Sequence, residues 1–455
     1  MALLPIAAFL VAGCGGNGTS PSTANPSSTT TGAAFVIGTD APVAAVTSFT
    51  VQVLSIEAVD ANGKKVALLS GSPSIDFARY NGLQTLLDLN DVPVGTYATV
   101  NVTLGSATIG FLSTQAGSAP TIQIMPAVLA QSTVQVTLPT PLVVSHSEPV
   151  GLRVDLDLRK SVQVDSNGQV TGQVTPTFDI TAVTSSDPGG NIDEFDAAVV
   201  SVNMAGQSFV VQGPHGRQFT VLVTGQTDFE DSESLGQLTN SSIVQISGTI
   251  DRAASTIDAD EVAILSQEGF FAAGQVTDVQ PSSGVATGFD LYVRGLLPTT
   301  TGLTLGQIAH VTLTGNEQYF VYRMHNHFTQ FLFSSDSLLA GQHVSIGGPA
   351  SGAANPQAVT TKRVVLHHWG FNGTVVPGSV DLGGETFKMK VTGFAGQLVP
   401  GIVTVYMADK TEFRNGPKSG ADLAGLTTVR AVGLLIKAPS TGEPVLLARY
   451  VDQLK

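Results

Sequence analysis

Residues 46–69 read VTSFTVQVLSIEAVDANGKKVALL, with two runs of alternating apolar and polar residues on either side of Asn62-Gly63. Alternation with a period of two is typical of β-strands, and Asn-Gly accepts the positive φ values of a tight hairpin turn. The stretch therefore predicts a β-hairpin. A second pair, Asn167-Gly168, predicts another hairpin between residues 161–164 and 169–174.

The same two-residue period runs through most of the chain, and long helical periodicity is nearly absent. Further candidate strands lie at residues 97–104, 121–124, 133–138 and 151–158. No helical segment is available to cover a parallel sheet, so these strands predict a β-sandwich over residues 34–184.

A linker ends the predicted sandwich, and three later stretches then share a weak repeat. Thr227-Asp-Phe229 and the segment Leu238–Gly248 in the first stretch correspond to Thr411-Glu-Phe413 and Leu423–Gly433 in the third. The size of each stretch suits a small closed barrel, which hides its strand edges. We therefore predict an all-β chain: an N-terminal β-sandwich followed by three small, OB-like β-barrels in series. The barrels are predicted at residues 191–267, 268–368 and 369–455, the second with an aromatic and histidine-containing insertion.

The first fourteen residues are apolar and end in Val11-Ala-Gly-Cys14, and Cys14 is the only cysteine in 455 residues. This apolar run is too short to span a bilayer, and small residues followed by a cysteine are typical of a bacterial lipobox. Residues 1–14 are thus predicted to be a signal peptide and Cys14 the lipidation site. Residues 15–33, rich in Gly, Ser, Thr, Pro and Asn, are predicted to be a flexible tether. A generic signal peptide with a chance cysteine is the alternative.

The composition limits the partners. The chain has 21 Lys and Arg against 35 Asp and Glu, a net charge of −14, which argues against nucleic acid or anionic lipid as a partner. A lipid on Cys14 would make the membrane a partner, and an envelope protein or a glycan is the other expected class. We predict a location in the bacterial cell envelope. Gly16, by analogy with enterobacterial sorting, favours the outer over the inner membrane.

Three segments of the predicted sandwich carry a resemblance to a known family: Phe35-Val-Ile-Gly-Thr-Asp-Ala-Pro42, Val92-Pro-Val-Gly-Thr-Tyr97 and Leu152-Arg-Val-Asp-Leu-Asp-Leu158. They resemble an uncharacterised domain at the N-terminus of many bacterial lipoproteins, whose members look like transthyretin- or immunoglobulin-like sandwiches. The three later stretches resemble a second uncharacterised family of OB-like barrels that occur in tandem in exported proteins. The resemblance implies fold and location only, because neither family has catalytic residues to carry over.

Histidines provide the candidate metal site. Six of the eight lie between His310 and His368. His325-Asn-His327 on a strand would put both imidazoles on one face, a spacing that zinc or copper sites can use. His325 and His327 are therefore candidate metal ligands, and the aromatic residues around them can wall a pocket. The alternative is that these aromatic residues form the core of the module and an exposed interaction patch.

Two acidic groups are weaker candidates. Asp155 and Asp157 can bind calcium or act as an acid–base pair, or they can be neutralised by Arg153 and Arg159 on a solvated strand face. The segment 228–233 carries oxygen ligands that suit calcium, but it lacks the spacing of a known calcium loop, which favours a solvated turn.

No catalytic motif is present: the chain has no Gly-x-Ser-x-Gly elbow, no His-Glu-x-x-His and no phosphate-binding loop. We predict no catalytic residue, no cofactor and no enzyme. The leading hypothesis is a lipid-anchored envelope protein that acts as a non-enzymatic binding, adhesion or scaffolding module. The alternative is a metal- or small-molecule-binding lipoprotein that uses the histidine- and aromatic-rich middle module, and an enzyme is third.

Overall fold

Almost all regular structure in the chain is β-strand, so the all-β prediction is confirmed. The described residues include two short α-helices, α1 (Leu158–Ser161) and α2 (Gly393–Leu398). Within the described residues, no helix has the length and apolarity to cross a membrane. The computed structural model describes residues 31–41, 46–113, 121–146, 148–166, 169–187, 190–214, 216–230, 233–250, 256–267, 269–281, 285–297, 302–321, 332–348, 358–399, 401–438 and 441–454.

Two sheets packed face to face form the first part of the chain. One has four strands in the order β12-β9-β1-β5, and the other has the path β10-β11-β7-β6-β2-β3, with β4 on β2 and β8 on β6. Val36, Phe49 and Val154 belong to the core that both sheets share. The strands are β1 (Thr31–Ala41), β2 (Val46–Asp60), β3 (Lys65–Ala67), β4 (Ser74–Asp76), β5 (Thr85–Pro93), β6 (Gly95–Ser113), β7 (Thr121–Leu129), β8 (Thr133–Val144), β9 (Val150–Asp157), β10 (Val162–Val164), β11 (Val170–Val174) and β12 (Phe178–Thr184).

The hairpin predicted at Asn62-Gly63 is confirmed. Val59 of β2 pairs with Lys65 of β3, and Gly63 adopts a φ of 80° in the turn. The carboxylate of Asp60 stabilises this turn by accepting the backbone N–H of Asn62 at 2.8 Å. The turn at 167–168 lies outside the described residues, but the strands on either side of it, β10 and β11, pair with each other.

Strand β1 is buried on both faces. Val36 packs into the core between the first two sheets, whereas Phe35 and Ile37 pack into a second core with Phe195 of a later sheet. A strand covered on both sides needs a continuous apolar run rather than alternation. This explains why residues 35–37 read Phe-Val-Ile.

The later part of the chain forms three further sheets. The third sheet has the order β15-β14-β13-β17-β18-β16, and an additional β15–β18 pairing brings its first strand back to its fifth. The fourth has the order β22-β25-β23-β19-β20-β21-β24, and β26-β27-β28-β30-β29 is a closed barrel. The strands are β13 (Ile192–Asn203), β14 (Ser208–Gln212), β15 (Gln218–Leu222), β16 (Asp228–Phe229), β17 (Ile243–Ile250), β18 (Ile257–Ser266), β19 (Phe270–Gln280), β20 (Gly288–Leu297), β21 (Ile308–Thr312), β22 (Gln318–Val321), β23 (His343–Gly348), β24 (Ala358–Thr360), β25 (Arg363–His367), β26 (Trp369–Val375), β27 (Thr386–Val391), β28 (Ile402–Arg414), β29 (Thr428–Lys437) and β30 (Pro444–Gln453).

The repeated Thr-x-Phe motif has the same local structure in the third sheet and in the barrel. The hydroxyl of Thr227 donates to the carbonyl oxygen of Ala259 at 2.7 Å, and the hydroxyl of Thr411 donates to that of Ala448 at 2.8 Å. In both copies the residues that follow the threonine pair in parallel with the last long strand of the unit, β18 or β30. The repeat therefore marks equivalent positions in two sheets.

The two N-terminal sheets together form one group of strands, and each of the three later sheets forms another. These four groups pack against one another around residues 76–84, which we call the hub segment. Asp76 of this segment forms an ion pair with Arg294 of the fourth sheet, with an Nη2–Oδ2 distance of 3.0 Å. Arg79 forms a buried ion pair with Asp196 of the third sheet. The hub segment thus joins the N-terminal sheets to two later sheets through charged side chains.

The same segment also reaches the closed barrel. The amide of Asn81 donates to the carbonyl oxygen of Gly370 at 2.8 Å, and the hydroxyl of Tyr450 donates to the carbonyl oxygen of Gly82. Gly82 has a φ of 78°, and a Cβ there would lie 2.8 Å from the Tyr450 hydroxyl oxygen. Leu83 is buried in the core of the barrel. Only glycine fits position 82 without strain or a clash.

Candidate functional site

A cleft of about 280 Å³ lies where the N-terminal sheets, the third sheet and the fourth sheet meet. Charged residues of the two ion pairs described above, Asp76–Arg294 and Arg79–Asp196, line it. Because these four charges pair with one another, they sum to zero. Apolar side chains make up much of the remaining lining, among them Ile75, Leu86, Phe195, Phe271, Leu296 and Leu297.

A buried hydrogen-bond network runs from the cleft into the fourth sheet. Arg294 donates from Nη1 to the Oε1 atom of Gln275 at 3.3 Å, and Nε2 of Gln275 lies 3.2 Å from Nδ1 of His343. His343 on β23 pairs directly with His367 on β25, and their ring centroids are 5.7 Å apart. The two imidazoles therefore converge because two neighbouring strands place them opposite each other.

The network returns to the cleft through the third sheet. Gln245 donates from Nε2 to the carboxylate of Asp196 at 2.8 Å, which turns its amide oxygen toward Nδ1 of His367, 3.2 Å away. Nδ1 of His367 therefore carries the proton, and Nε2 accepts a hydrogen bond from the hydroxyl of Ser345 at 2.7 Å. Two hydrogen-bonded branches, one from each ion pair of the cleft, therefore meet at the ring contact between His343 and His367.

The environment keeps both imidazoles neutral. The pKa of His367 is lowered to about 4, chiefly by burial; the negative charge of Asp196 opposes this shift and the positive charge of Arg79 adds to it. Burial lowers the pKa of His343 well below its usual value of 6.5, and His367, Arg79 and Arg294 act in the same direction. At neutral pH these rings act as uncharged hydrogen-bonding groups.

Ser345 and His367 lie at the spacing of a nucleophile and its base in hydrolases, but their surroundings do not suit that chemistry. The side chain of Ser345 is fully buried, and His367 is 1% exposed. The partner of His367 Nδ1 is the neutral amide of Gln245 rather than a carboxylate. A substrate carbonyl has no access to such a hydroxyl, and the hydrogen bond joins two neighbouring strands of the fourth sheet.

Trp369, the only tryptophan of the chain, lies at the centre of this network. Its ring stacks on His343 at a centroid distance of 4.9 Å, and the Arg294 guanidinium carbon lies 4.9 Å from its centroid. A guanidinium over an aromatic face is an attractive cation–π arrangement. The indole therefore reports on the charged lining of the cleft.

Glu194 on β13 is a buried acidic residue next to the cleft. Burial raises the pKa of Glu194 to about 8, and the negative charges of Asp196 and Asp193 act in the same direction, against Arg79 and Arg449. Neither carboxyl oxygen of Glu194 has a hydrogen-bond partner within the described parts of the chain. Glu194 is therefore a neutral carboxylic acid at pH 7.

The structure brings together only some of the histidines named from the sequence. His343 and His367 lie in contact, whereas His310 is exposed and binds the carboxylate of Asp290 at 2.7 Å. His325 and His327, the candidate metal ligands, lie outside the described residues, so the metal site stays a prediction. Among the residues that are described, no three His, Cys, Asp or Glu side chains are arranged to hold a metal ion.

The acidic candidates have structural partners. Asp155 pairs with Arg153 at 3.2 Å, as expected, and Asp157 pairs with Lys160 at 2.7 Å. The reason is that β9 ends at Asp157, whose carboxylate caps helix α1 by accepting the Lys160 backbone N–H at 3.1 Å.

Glu233, expected in a solvated turn, is instead buried. Its Oε1 atom lies 2.9 Å from Nη2 of Arg363 on the fourth sheet, and both side chains are less than a tenth exposed. Cys14 and Asp231 lie outside the described residues, and so does most of the tether.

Sequence reasoning missed the hub segment, the acidic run Asp193–Asp196 and the two glutamines of the network. The only indication of them in the sequence is that Ile192-Asp-Glu-Phe-Asp196 interrupts the alternation of apolar and polar residues at the start of a strand. From sequence alone, a charged residue in a strand is predicted to face solvent, because the sequence does not show that another sheet covers that face.

Comparison with known proteins gives one family. Residues 32–171 match a domain of unknown function, DUF4382, in agreement with the resemblance of the first strands to an uncharacterised family. No curated protein matches the chain. Among solved structures, drosophila Unr CSD456 matches at 12% identity over 58% of this chain and 97% of that chain, with a TM-score of 0.14. A score this low carries no argument about fold or function.

Proposed function

We propose that the protein is a lipid-anchored component of the bacterial cell envelope that acts as a rigid, non-enzymatic binding or scaffolding module. The proposed anchor is a lipid on Cys14, and the proposed location is the outer membrane. The hub segment is the observation that carries the proposal. It joins the N-terminal sheets to all three later sheets, so the surfaces of four groups of strands keep fixed positions relative to one another.

Burial of the connecting charges supports this rigidity. In the Arg79–Asp196 pair both side chains are less than a tenth exposed, and Arg294 in the Asp76 pair is 1% exposed. Removing one partner of such a pair leaves an uncompensated buried charge and costs about 3 to 5 kcal/mol. The strong burial of Ser345 and His367 also supports a structural rather than a catalytic role for the polar network.

We also propose that the three later groups of strands are related OB-like modules. The equivalent threonine contacts of Thr227 and Thr411 and the closed five-stranded barrel β26–β30 support this relationship. The repeat also gives Gly248 and Gly433 one role. Each lies at a bulge where a Cβ would overlap a carbonyl oxygen of the neighbouring strand.

The anchor is tested by labelling. The full chain is expressed in a bacterium that is fed an alkyne-bearing fatty acid, with Cys14→Ser as the matched control. The proposal predicts that the wild-type chain is labelled and fractionates with the outer membrane, while the variant carries no label. An unlabelled wild-type chain would contradict the proposed anchor.

The binding role is tested with isolated envelope material. The purified chain is titrated against peptidoglycan sacculi and against outer-membrane vesicles, and the bound fraction is measured by sedimentation. The proposal predicts saturable binding to one of the two. Binding that rises linearly with either material, without saturation, would contradict a specific binding role.

Metal binding through His325 and His327 is the second candidate function. It is supported by the His-Asn-His spacing, which on a strand would put both imidazoles on one face. A zinc titration of the wild-type chain and of the His325→Ala, His327→Ala variant tests it. Equal affinity of the two proteins would reject the site.

A further inference from the structure

We propose that the cleft between the N-terminal, third and fourth sheets binds a neutral amphipathic molecule whose head carries a carbonyl oxygen, such as a medium-chain acyl amide. This inference goes beyond the proposed scaffolding role and does not depend on the lipid anchor. Its basis is the cleft of about 280 Å³ with a paired charged lining and apolar walls. Small-molecule sites usually combine mostly apolar walls with a few fixed polar groups.

The head group follows from the polar lining. Nε of Arg79 is buried and has no hydrogen-bond partner among the described residues. A buried donor without an acceptor costs about 1 to 3 kcal/mol, so an oxygen acceptor supplied by a ligand would recover that free energy. Arg79 lines the cleft and holds Asp196 through Nη2, so Nε is a donor of the same guanidinium that this ion pair does not use.

The charge of the head group follows from the pairing of the lining charges. Arg79 and Arg294 each have an aspartate partner, and the nearby Glu194 is uncharged at pH 7. A carboxylate or ammonium head would therefore enter the cleft as an unpaired charge, which is costly in a buried place. A neutral carbonyl avoids this cost.

The apolar side chains that line the cleft and its exposed edge predict that the ligand has an apolar tail. Ile124 and Leu305 both line the cleft, and they are 42% and 47% exposed. Exposed large apolar side chains next to a cleft are typical of ligand-binding grooves. An acyl tail would cover them while the head reaches Arg79.

The test compares three ligands with the same eight-carbon tail: octanamide, octanoate and octylamine. Binding to the purified full chain is measured by calorimetry and by the fluorescence of Trp369, which contacts Arg294 at the edge of the cleft. We expect the Kd for octanamide to be at least tenfold lower than for either charged analogue. Equal affinity for all three would overturn the assignment of the head group, and no binding of octanamide would overturn the site.

Two surface variants on β7 locate the binding. Ile124→Asp places a charge in the path of the tail and should weaken octanamide binding at least tenfold. Val128→Asp is the matched control, because Val128 is 55% exposed on the same strand and does not line the cleft. It should leave the affinity unchanged. Equal weakening in both variants would overturn the location, whatever the outcome of the anchoring and envelope-binding experiments.

Discussion

Glu194→Gln should make the protein more stable at neutral pH, although it alters a buried residue next to two ion pairs. Glutamine has the shape of the protonated glutamic acid, and burial raises the pKa of Glu194 to about 8 from its ordinary value of 4.5. The folded protein must therefore take up a proton at this residue when it folds at pH 7. Glutamine removes that requirement.

The size of the effect follows from linkage. Because the folded pKa lies above the unfolded one, the contribution of Glu194 to stability is complete below pH 4.5 and is lost as the pH rises toward 8. The loss proceeds at about 1.4 kcal/mol per pH unit. Between pH 4.5 and 7 the wild-type protein should therefore lose about 3 kcal/mol that the variant keeps.

The assay is urea unfolding of both proteins at several pH values between 4.5 and 7, followed by far-UV circular dichroism. The difference in unfolding free energy, variant minus wild type, should rise with pH by about 3 kcal/mol over this range. Glu57→Gln, which removes a carboxylate from the exposed Lys65 ion pair, is the control for loss of a surface charge. A difference for Glu194→Gln that stays constant or falls with pH would show that Glu194 is ionised in the folded protein, and would contradict the raised pKa.

Three further substitutions test individual contacts by urea unfolding at pH 7. Gly82→Ala should destabilise the protein by about 2 to 4 kcal/mol, because it combines a positive φ with overlap at a buried hydroxyl; an unchanged midpoint would contradict the role of the hub segment. Tyr97→Phe removes the 2.7 Å hydrogen bond to the carbonyl oxygen of Pro93 and should cost about 1 kcal/mol; no loss would mean that this bond is replaced by water. Arg363→Met leaves Glu233 buried without its partner and should cost about 3 to 5 kcal/mol, and Glu233→Gln in the same chain should restore much of it. A double variant no more stable than the single one would argue against the pair.

Much of the fold could be predicted from the sequence because strand alternation and turn residues act locally. Asn62-Gly63 placed a hairpin, and the alternation of residues 153–158 placed Val154, Leu156 and Leu158 in a core, where all three are fully buried. A tyrosine two residues after the Pro93–Gly95 turn is also a local feature, and its hydroxyl donates to the carbonyl oxygen of Pro93.

The site could not be predicted because it depends on how sheets meet. Alternation shows that Asp196 and Arg294 point away from their own core, but it does not show that this side faces another sheet. Proximity in sequence grouped six histidines, whereas among the described ones it is the β23–β25 register that brings His343 and His367 into contact. Sequence spacing carries no information about such a register.

The most direct test of the central claim, that the hub segment joins four groups of strands into one body, is equilibrium unfolding followed by two probes. Far-UV circular dichroism reports on all the sheets, and the fluorescence of Trp369 reports on the junction where they meet. The account predicts one transition with the same midpoint and slope for both probes. A fluorescence change that is complete while most of the β-signal remains, followed by separate steps, would contradict it.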